Sequence, residues 1–400
     1  MLRNKKNLTQ RPELSSSEPK VFTEGRAKII LPSGGALRKA RPFYNPRMSL
    51  NRDLAILFLS AYFPASRHLR ICDPMTGSGV RAVRYVLEAP NVSSVLAADV
   101  DPEAVEAAML AVRRNHLEKT ITVIASDANL LLLNNSLERF DLIDLDPFGS
   151  PAPFFESALR ATINGGVVAA TATDMAPLTG ARKKACLRKY GACAVRTEFE
   201  KEMAARILAG CLVQTAGMLE LGASVVFSYA FDHYVRIHVA IANGKAAANA
   251  AIKSLGFLEY CPNCLRRDSR QALNSFQMTC EDCGGKTQAS GPIWLGELWD
   301  GRIAHDMLER TPALECSRLP EVQGLLMRIE DETKAPPFHY RTDALARALK
   351  IKPPGRDAIL QALRDEGYRA SRTHFSPIGF RTDASSREIG SVMKSLPQKP

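Results

Sequence analysis

The residues best suited to chemistry lie in segment 143–151, Ile-Asp-Leu-Asp-Pro-Phe-Gly-Ser-Pro. An apolar run, Phe140–Leu145, stops there abruptly, as a buried strand would. The pattern suits alkylation of a planar exocyclic amine, which is a poor nucleophile because its lone pair is delocalised into the ring. Asp146 and the Pro147 carbonyl can accept hydrogen bonds from the two N–H groups of the amine, and the Phe148 ring can hold the base by stacking. A strand-end cap is the alternative role for Asp146.

A glycine-containing loop precedes this segment. Residues 73–81 read Asp-Pro-Met-Thr-Gly-Ser-Gly-Val-Arg and join a predicted strand to a predicted helix. Gly77 and Gly79 let the backbone approach a ligand closely, and the helix N-terminus favours a negative group such as a carboxylate. The loop has neither a full Gly-x-Gly-x-x-Gly pattern nor a Walker lysine. It therefore favours S-adenosylmethionine over a dinucleotide or ATP.

Acidic residues follow the next two predicted strands. Asp99 ends the second strand, about twenty residues beyond the loop, where a carboxylate can bind both ribose hydroxyls. A strand-end cap is the alternative for Asp99, and Asp101 is a rival for the ribose. Asp127 and Ala128 follow the third strand, where an acid can accept an adenine amino group beside an apolar wall.

Two arginines are candidates for the cofactor carboxylate, because a guanidinium can bind a carboxylate through two hydrogen bonds. Arg81 closes the glycine loop, and Arg52 lies in a helix predicted over residues 51–63. For each, a solvated arginine on a helix surface is the alternative interpretation.

Four cysteines form a C-x2-C…C-x2-C pattern with fifteen residues between the pairs: Cys261, Cys264, Cys280 and Cys283. Four thiolates complete a tetrahedron and leave no open position for water, so the pattern predicts a structural zinc site. Free thiols or disulfides are the alternatives. The other five are interpreted as core or bystander thiols: Cys72, Cys186, Cys193, Cys211 and Cys316.

Composition limits the class of protein. A chain of 400 residues with 46% apolar and 24% charged residues is typical of a folded, soluble protein of two domains. The sequence shows no run long enough for a membrane span, no secretory signal, and an odd number of cysteines. We therefore expect a reducing, cytoplasmic compartment.

The net charge of +11 is concentrated at the ends of the chain. Residues 1–50 hold 11 Lys and Arg against 3 acidic residues, and residues 341–400 hold 12 against 6. Basic ends around a near-neutral centre indicate that the periphery binds a polyanion while the centre performs the chemistry. Solubility alone is the other explanation.

The elements that must position these residues alternate between strand and helix from residue 70 to 171. Two β-rich runs, 223–231 and 234–242, are predicted to form a hairpin. Alternation predicts a parallel, Rossmann-like sheet with its site at the carboxyl ends of the strands, and the hairpin adds an antiparallel edge. The predicted domains are a disordered basic tail (1–20), a Rossmann-like domain (21–243) and a smaller α+β domain (244–400).

The second domain contains the cysteine unit, at 261–283. Two short predicted helices, Thr342–Leu349 and 356–366, precede two extended pieces near residues 368–370 and 378–381. Helix, turn, helix and β-pair is the order of a winged-helix unit, which we expect over 341–385.

Several segments together resemble the tRNA (guanine-N2)-dimethyltransferase family. They are 43–53 (Phe-Tyr-Asn-Pro-Arg-Met-Ser-Leu-Asn-Arg-Asp), the loop 77–81, 143–151, 172–174 (Ala-Thr-Asp) and 372–377 (Arg-Thr-His-Phe-Ser-Pro). The resemblance runs from about residue 22 to 385. Family members use S-adenosylmethionine to methylate guanine 26, between the D arm and the anticodon arm of tRNA. Some extend methylation to the neighbouring guanine, and the sequence leaves this open.

The resemblance implies roles for individual residues. Arg52 and Arg81 match cofactor ligands, whereas Asp146 matches the catalytic aspartate and Phe148 the ring that holds the guanine. The ribose and adenine contacts match Asp99, Asp127 and Ala128. It also implies a Rossmann-like methyltransferase domain followed by a C-terminal domain, to which we assign tRNA binding. The cysteine cluster varies within the family, which favours a structural role.

Two other functions remain open at this point: methylation of adenine N6 or guanine N2 in another RNA or in DNA, and tRNA binding with a vestigial cofactor site. For tRNA, the basic termini and a central group would hold the backbone: Lys183, Lys184, Arg188 and Lys189. The sequence identifies no protein partner and predicts no membrane association.

Overall fold

The computed structural model describes residues 20–31, 44–89, 91–272 and 276–397. The tail predicted over residues 1–20 lies outside this range except for its last residue. Over the described residues, no helix has both the length and the apolar character needed to cross a bilayer.

An antiparallel hairpin opens the described chain, followed by a large mixed sheet and its helices. The first half contains β1 (Lys20–Glu24), β2 (Ala27–Leu31), α1 (Ser49–Tyr62), β3 (Leu69–Asp73), α2 (Val80–Glu88), β4 (Val92–Asp99), α3 (Pro102–Arg114), β5 (Ile121–Ala125), α4 (Ala128–Asn134), β6 (Phe140–Leu145), α5 (Phe155–Ala161), β7 (Thr162–Ala172), α6 (Met175–Leu178), α7 (Lys183–Tyr190), α8 (Glu200–Met218), β8 (Leu221–Phe231) and β9 (Tyr234–Asn243).

The large sheet has seven strands in the order β5-β4-β3-β6-β7-β9-β8. The strands from β5 to β7 are parallel, whereas β9 runs antiparallel to β7 and β8 antiparallel to β9. β6 is buried along its whole length, as a strand covered on both faces must be. The α/β, Rossmann-like fold and its antiparallel edge hairpin are therefore as the sequence predicted.

The strand order reverses between β3 and β6, because the chain moves outward through β4 and β5 before β6 returns beside β3. Ligands of such sheets bind outside the carboxyl ends of the strands at this reversal. The reversal brings the glycine loop after β3 next to the Asp-Pro-Phe-Gly segment after β6.

Smaller elements follow the large sheet. They are α9 (Lys245–Ile252), β10 (Leu255–Tyr260), β11 (Arg267–Arg270), β12 (Gln288–Trp294), α10 (Gly301–Glu309), α11 (Leu319–Glu332), β13 (Tyr340–Arg341), α12 (Thr342–Leu349), α13 (Arg356–Asp365), β14 (Ala370–Arg372), β15 (Gly379–Thr382) and α14 (Ser386–Ser395). Two antiparallel three-stranded sheets, β11-β10-β12 and β13-β15-β14, organise them. The two helices predicted over 341–366 are present as α12 and α13.

Buried ion pairs join the two halves of the chain. Glu202 of α8 is fully buried and accepts hydrogen bonds from the backbone N–H groups of Phe338 (2.8 Å) and His339 (3.1 Å). Arg381 of β15 donates to Glu202 at 2.9 Å and to Glu332 of α11 at 2.6 Å. A buried charge with this many partners holds its neighbours in one arrangement, so α8 and the C-terminal elements pack as a unit.

Candidate active site

A cavity of about 770 Å³ opens at the carboxyl ends of β3, β4 and β6. Nine of the residues predicted from the sequence line it: Arg52, Gly77, Arg81, Asp99, Asp127, Ala128, Asp146, Pro147 and Phe148. Its volume is within the range of small-molecule and cofactor sites. We call it the methyl-transfer cavity, after the chemistry predicted above.

Gly79, the tenth predicted residue, belongs to the turn behind this lining. It caps α2 with a φ of +74°, and a Cβ atom there would lie 2.8 Å from the Cα atom of Ala108 in α3. Only glycine meets both requirements, so Gly79 allows α2 and α3 to pack closely beneath the loop.

Asp146 lies at the cavity edge just beyond β6, and its carboxylate is bound by the guanidinium of Arg81. Arg81 also donates to Asp144 at 3.2 Å. Alternate side chains of a strand point to the same face, which explains how one guanidinium reaches both acids. Burial alone would lower the pKa of Arg81, but the two carboxylates raise it well above its ordinary value. The predicted binding of a cofactor carboxylate by Arg81 stays a prediction.

Asp144 is the centre of a buried network beneath the cavity. It accepts two hydrogen bonds from Arg236, at 2.9 and 2.7 Å, and a third from the hydroxyl of Tyr85. Arg236 also donates to Thr171 at 2.7 Å. Burial would raise the pKa of Asp144, but Arg236 and Arg81 outweigh it and hold the pKa well below its usual range. Asp144 is therefore a permanent anion that fixes Arg81, a role that the sequence reasoning missed.

Asp73 ends β3 and also lines the cavity. Its carboxylate accepts a hydrogen bond of 2.8 Å from the Thr76 hydroxyl. Burial raises the pKa of Asp73 to about 7, although Arg81 opposes the shift. We did not predict a function for Asp73, and its position at a strand end was the signal available.

The acids predicted to bind the ribose and adenine are already oriented by the backbone. Asp99 accepts hydrogen bonds from the N–H groups of Gly77 (2.9 Å) and Asp101 (3.0 Å). Asp127 caps α4 by accepting from Leu130 N–H at 3.1 Å. Each carboxylate oxygen has a further lone pair, so both acids can bind a ligand in this orientation.

Arg52 enters the cavity from α1 and is held by the N-terminal hairpin. It donates two hydrogen bonds of 2.5 Å to Glu24 and one of 3.1 Å to the carbonyl of Asn45. Burial would raise the pKa of Glu24, but Arg52 and Arg84 lower it to about 2. The hydroxyl of Tyr44 adds a hydrogen bond of 2.8 Å to the same carboxylate. The segment 44–53 is therefore anchored where it borders the site.

The Asp-Pro-Phe-Gly loop is fastened to the end of β7. Gly149, with a φ of +93°, donates to the Thr173 hydroxyl at 2.8 Å, and its carbonyl accepts from Thr173 N–H at 3.0 Å. Phe148 is 78% exposed at the cavity mouth, where a base could approach it. Asp174, which follows Thr173 in the chain, accepts hydrogen bonds from Tyr190 (2.5 Å) and Lys189 (2.8 Å). These bonds attach the basic helix α7 next to the loop.

His233 also lines the cavity, at the turn between β8 and β9. From the sequence, this residue is recognisable only as part of a hairpin turn. The antiparallel pairing of β9 with β7 places the turn beside Thr173.

The four predicted metal ligands lie together. The Sγ atoms of Cys261, Cys264, Cys280 and Cys283 are all within 4.8 Å of one another. The pairs Cys261–Cys283 and Cys264–Cys280 are each separated by 3.5 Å, which is too long for a disulfide bond of about 2.05 Å. Tetrahedral zinc with Zn–S bonds of about 2.3 Å requires sulfur separations of about 3.8 Å. The cluster therefore fits a zinc ion.

Comparison with known proteins decides the family. The family model described as N2,N2-dimethylguanosine tRNA methyltransferase matches residues 20–394. The chain belongs to this family. The resemblance predicted from the motifs is thereby confirmed, and the family match extends across both halves of the chain.

Members of the dimethyltransferase family are similar to this chain along nearly all of their length. The tRNA (guanine(26)-N(2))-dimethyltransferase of Pyrococcus abyssi is 36% identical over 386 residues, which cover 93% of this chain and 98% of the relative. The tRNA (guanine(26)-N(2)/guanine(27)-N(2))-dimethyltransferase of Aquifex aeolicus is 33% identical over 383 residues, covering 94% and 96%. The solved structure of Trm1 from Pyrococcus horikoshii with S-adenosyl-L-methionine superposes with a TM-score of 0.85, at 34% identity, covering 94% and 99%.

Proposed function

We propose that this protein transfers methyl groups from S-adenosylmethionine to the exocyclic N2 of guanine 26 in tRNA, giving N2-methyl- and N2,N2-dimethylguanine. The observation that carries the proposal is the convergence of nine predicted residues on one cavity. Within that cavity, Asp146 and Phe148 lie beside the loop and acids expected to bind the cofactor. Family membership supports the same activity.

The cofactor would occupy the part of the cavity between the glycine loop and β4. Asp99 would bind the ribose hydroxyls, and Asp127 with Ala128 would bind the adenine. Arg52 borders the opposite side and would bind the carboxylate, a role that Arg81 can share. The sulfonium makes the methyl carbon electrophilic, so the work of the protein is to align the acceptor nitrogen with it.

The acceptor guanine must leave the tRNA stack to reach the cavity. Phe148 would stack on its ring. Asp146 would accept a hydrogen bond from one N–H group of the amino group, and the Pro147 carbonyl would accept a hydrogen bond from the other. Asp146 would also take the departing proton. Its Arg81 partner keeps the carboxylate oriented. One N–H bond remains after the first transfer, so the same arrangement can serve a second round.

The tRNA backbone would be held by basic surfaces around the cavity. Helix α7 presents Lys183, Lys184 and Arg188 to solvent, and Asp174 attaches this helix next to the Phe148 loop. We assign residues 21–243 to the methyltransferase domain and residues 244–400 to tRNA binding, with α12, α13, β14 and β15 forming the winged-helix unit. We also propose a cytoplasmic location, which action on tRNA supports.

We also propose that the cysteine cluster holds a structural zinc ion. Each cysteine pair turns back on itself: Leu265 N–H donates to the Cys261 carbonyl and Gly284 N–H to the Cys280 carbonyl, both at 2.9 Å. Both turns present their thiols to a common point, and all four ligands are sulfur, as in structural sites.

The decisive experiment is methylation of a tRNA transcript followed by mass spectrometry of its nucleosides, which identifies the product, and of its nuclease fragments, which locates it. We expect N2-methyl- and N2,N2-dimethylguanosine from a transcript with guanine at position 26, and neither product there from a transcript with adenine at that position. A guanine at position 27 in a second transcript tests the neighbouring site. Formation of N6-methyladenosine, or equal methylation of both position-26 transcripts, would overturn the proposal.

A further inference from the structure

Five residues of the segment 372–377, Arg-Thr-His-Phe-Ser-Pro, line a second cavity of about 390 Å³; they are residues 372–375 and Pro377. Four cations from four elements border it: Lys201 of α8, Arg328 of α11, Arg356 of α13 and Arg372 of β14. Two acids, Asp232 and Glu321, also line it. We call this cavity the basic pocket.

The two acids of the basic pocket already have cationic partners. Arg318 binds Glu321, with one hydrogen bond of 3.1 Å. Arg47 lies 3.7 Å from the carboxylate of Asp232. Each acid therefore has a cationic partner outside the pocket lining, and the four cations of the lining outnumber its two acids.

The cations themselves are under-neutralised. Arg356 and Arg372 share a single exposed carboxylate, Asp357, at 3.0 and 2.8 Å. Over the described ranges, no carboxylate lies within 4.0 Å of the charged nitrogen atoms of Lys201 or Arg328. A concave site with unpaired cations is suited to an anion, and guanidinium groups match the geometry of phosphate oxygens.

The lining of the basic pocket is hydrogen-bonded to a hairpin whose turn also reaches the methyl-transfer cavity. Glu332 accepts hydrogen bonds from the backbone N–H (2.7 Å) and Nδ1 (2.6 Å) of His374. The other ring nitrogen, Nε2, accepts from Ala230 N–H of β8 at 3.3 Å. The next residues of this hairpin supply Asp232 to the basic pocket and His233 to the methyl-transfer cavity. The two cavities therefore lie on either side of one hairpin turn.

We propose that the basic pocket binds backbone phosphate of the tRNA close to the guanine that enters the methyl-transfer cavity. The inference rests on the proposed function and names the part of the protein that holds the substrate beside its reacting base. It also explains the segment 372–377, in which Thr373 and His374 donate hydrogen bonds to Glu332 while Arg372 contributes charge.

The test is the salt dependence of tRNA binding by the double variant Lys201→Ala/Arg328→Ala, measured by fluorescence anisotropy with the full chain. Each lost phosphate contact reduces the slope of log affinity against log salt by roughly 1, so we expect a reduction of roughly 2. When the salt concentration rises from about 50 to about 200 mM, the tRNA affinity of the variant should fall by a factor about ten times smaller than that of wild type. The KM for tRNA should rise, with kcat at saturating tRNA and S-adenosylmethionine affinity unchanged.

A matched control removes the same charge elsewhere. Arg113 and Arg114 are exposed at the last turn of α3, the end away from the cavity, and Arg113→Ala/Arg114→Ala should keep the wild-type slope. Lys201→Arg/Arg328→Lys should restore most of it, which separates lost charge from misfolding. If the wild-type protein methylates tRNA but the alanine double variant keeps the wild-type salt slope, phosphate binding by the basic pocket is refuted and the proposed function is not. Absence of guanine-26 methylation by wild type would refute the proposed function, while the binding slopes would still test the pocket.

Discussion

Two carboxylates of the same strand end, Asp144 and Asp146, provide the sharpest test of the site. Asp144 is completely buried and is bound by Arg236, Arg81 and Tyr85. The side chain of Asp146 is 18% exposed at the cavity and is bound by Arg81. We expect Asp144→Asn to damage the fold and Asp146→Asn to damage the chemistry.

The magnitudes follow from what each change leaves behind. Asp144→Asn leaves two buried guanidinium groups without their shared anion, and breaking a buried pair in this way costs about 3–5 kcal/mol. Asp146→Asn leaves Arg81 paired with Asp144, so its cost in stability should be clearly smaller than that of Asp144→Asn. Loss of the proton acceptor should lower kcat by roughly 10²–10⁴-fold, the usual contribution of a general base.

Three measurements separate the two outcomes. Urea unfolding gives the free energy of unfolding of each variant, calorimetry gives S-adenosylmethionine affinity, and single-turnover methylation of tRNA gives the chemical step. Asp146→Asn should bind the cofactor nearly as wild type does and fail in the chemical step. Methylation of tRNA by Asp146→Asn at close to the wild-type rate would refute the catalytic role of Asp146, and wild-type stability of Asp144→Asn would refute the structural role of Asp144.

Three further predictions concern stability. Burial alone would raise the pKa of Glu332, but His374 and Arg381 lower it from 4.5 to about 2 in the folded protein. The charged carboxylate therefore contributes about 3 kcal/mol to stability above pH 4.5, and this contribution is lost as the pH falls toward 2. In urea unfolding, the loss of stability caused by Glu332→Gln should shrink over that pH range, and a constant difference would contradict this. Metal analysis should find about one zinc ion per chain, and a metal-free wild type would contradict the zinc site. Cys280→Ser should remove the zinc and lower the urea midpoint of unfolding, while the affinity for S-adenosylmethionine stays the same. Gly79→Ala should lose about 1–3 kcal/mol by urea unfolding because of its left-handed φ and the close Ala108 backbone, and wild-type stability would show that the turn can relax.

The central sheet could be predicted because its signals are local. The apolar run of β6 has the bounds that the sequence indicated, and the split between β8 and β9 falls at residues 232 and 233 as predicted. Each of these elements is specified by residues within a few positions of one another. The two helices of 341–366 were recognisable for the same reason.

The N-terminal hairpin could not be predicted in the same way. Its last strand residue before the turn, Glu24, has little local meaning in a basic, irregular segment. Its importance comes from Arg52 and Arg84, which are 28 and 60 residues further along the chain. Partners at this sequence separation leave no periodic pattern, so only the folded structure reveals that the hairpin anchors one wall of the cavity.

The role of Asp144 was hidden for a related reason. Asp144 and Asp146 both stand in a short acidic motif, and the motif alone does not say which carboxylate faces the cavity and which is buried. The distinction depends on Arg236, which comes from β9, and on Tyr85, which comes from α2. An acid within an otherwise apolar strand was the available signal for a buried ion pair.

Three buried carboxylates, Glu24, Asp144 and Glu332, each hold a different part of the site in place. Glu24 holds the α1 side of the cavity through Arg52, and Asp144 holds Asp146 through Arg81. Glu332 holds the hairpin that carries His233, through His374. Catalysis by alignment requires reacting groups to be held within a fraction of an ångström, and buried ion pairs with several hydrogen bonds have few alternative arrangements. The charge buried around this cavity is therefore better explained by the positioning that methyl transfer demands than by stability, because apolar residues of the same volume would serve stability as well.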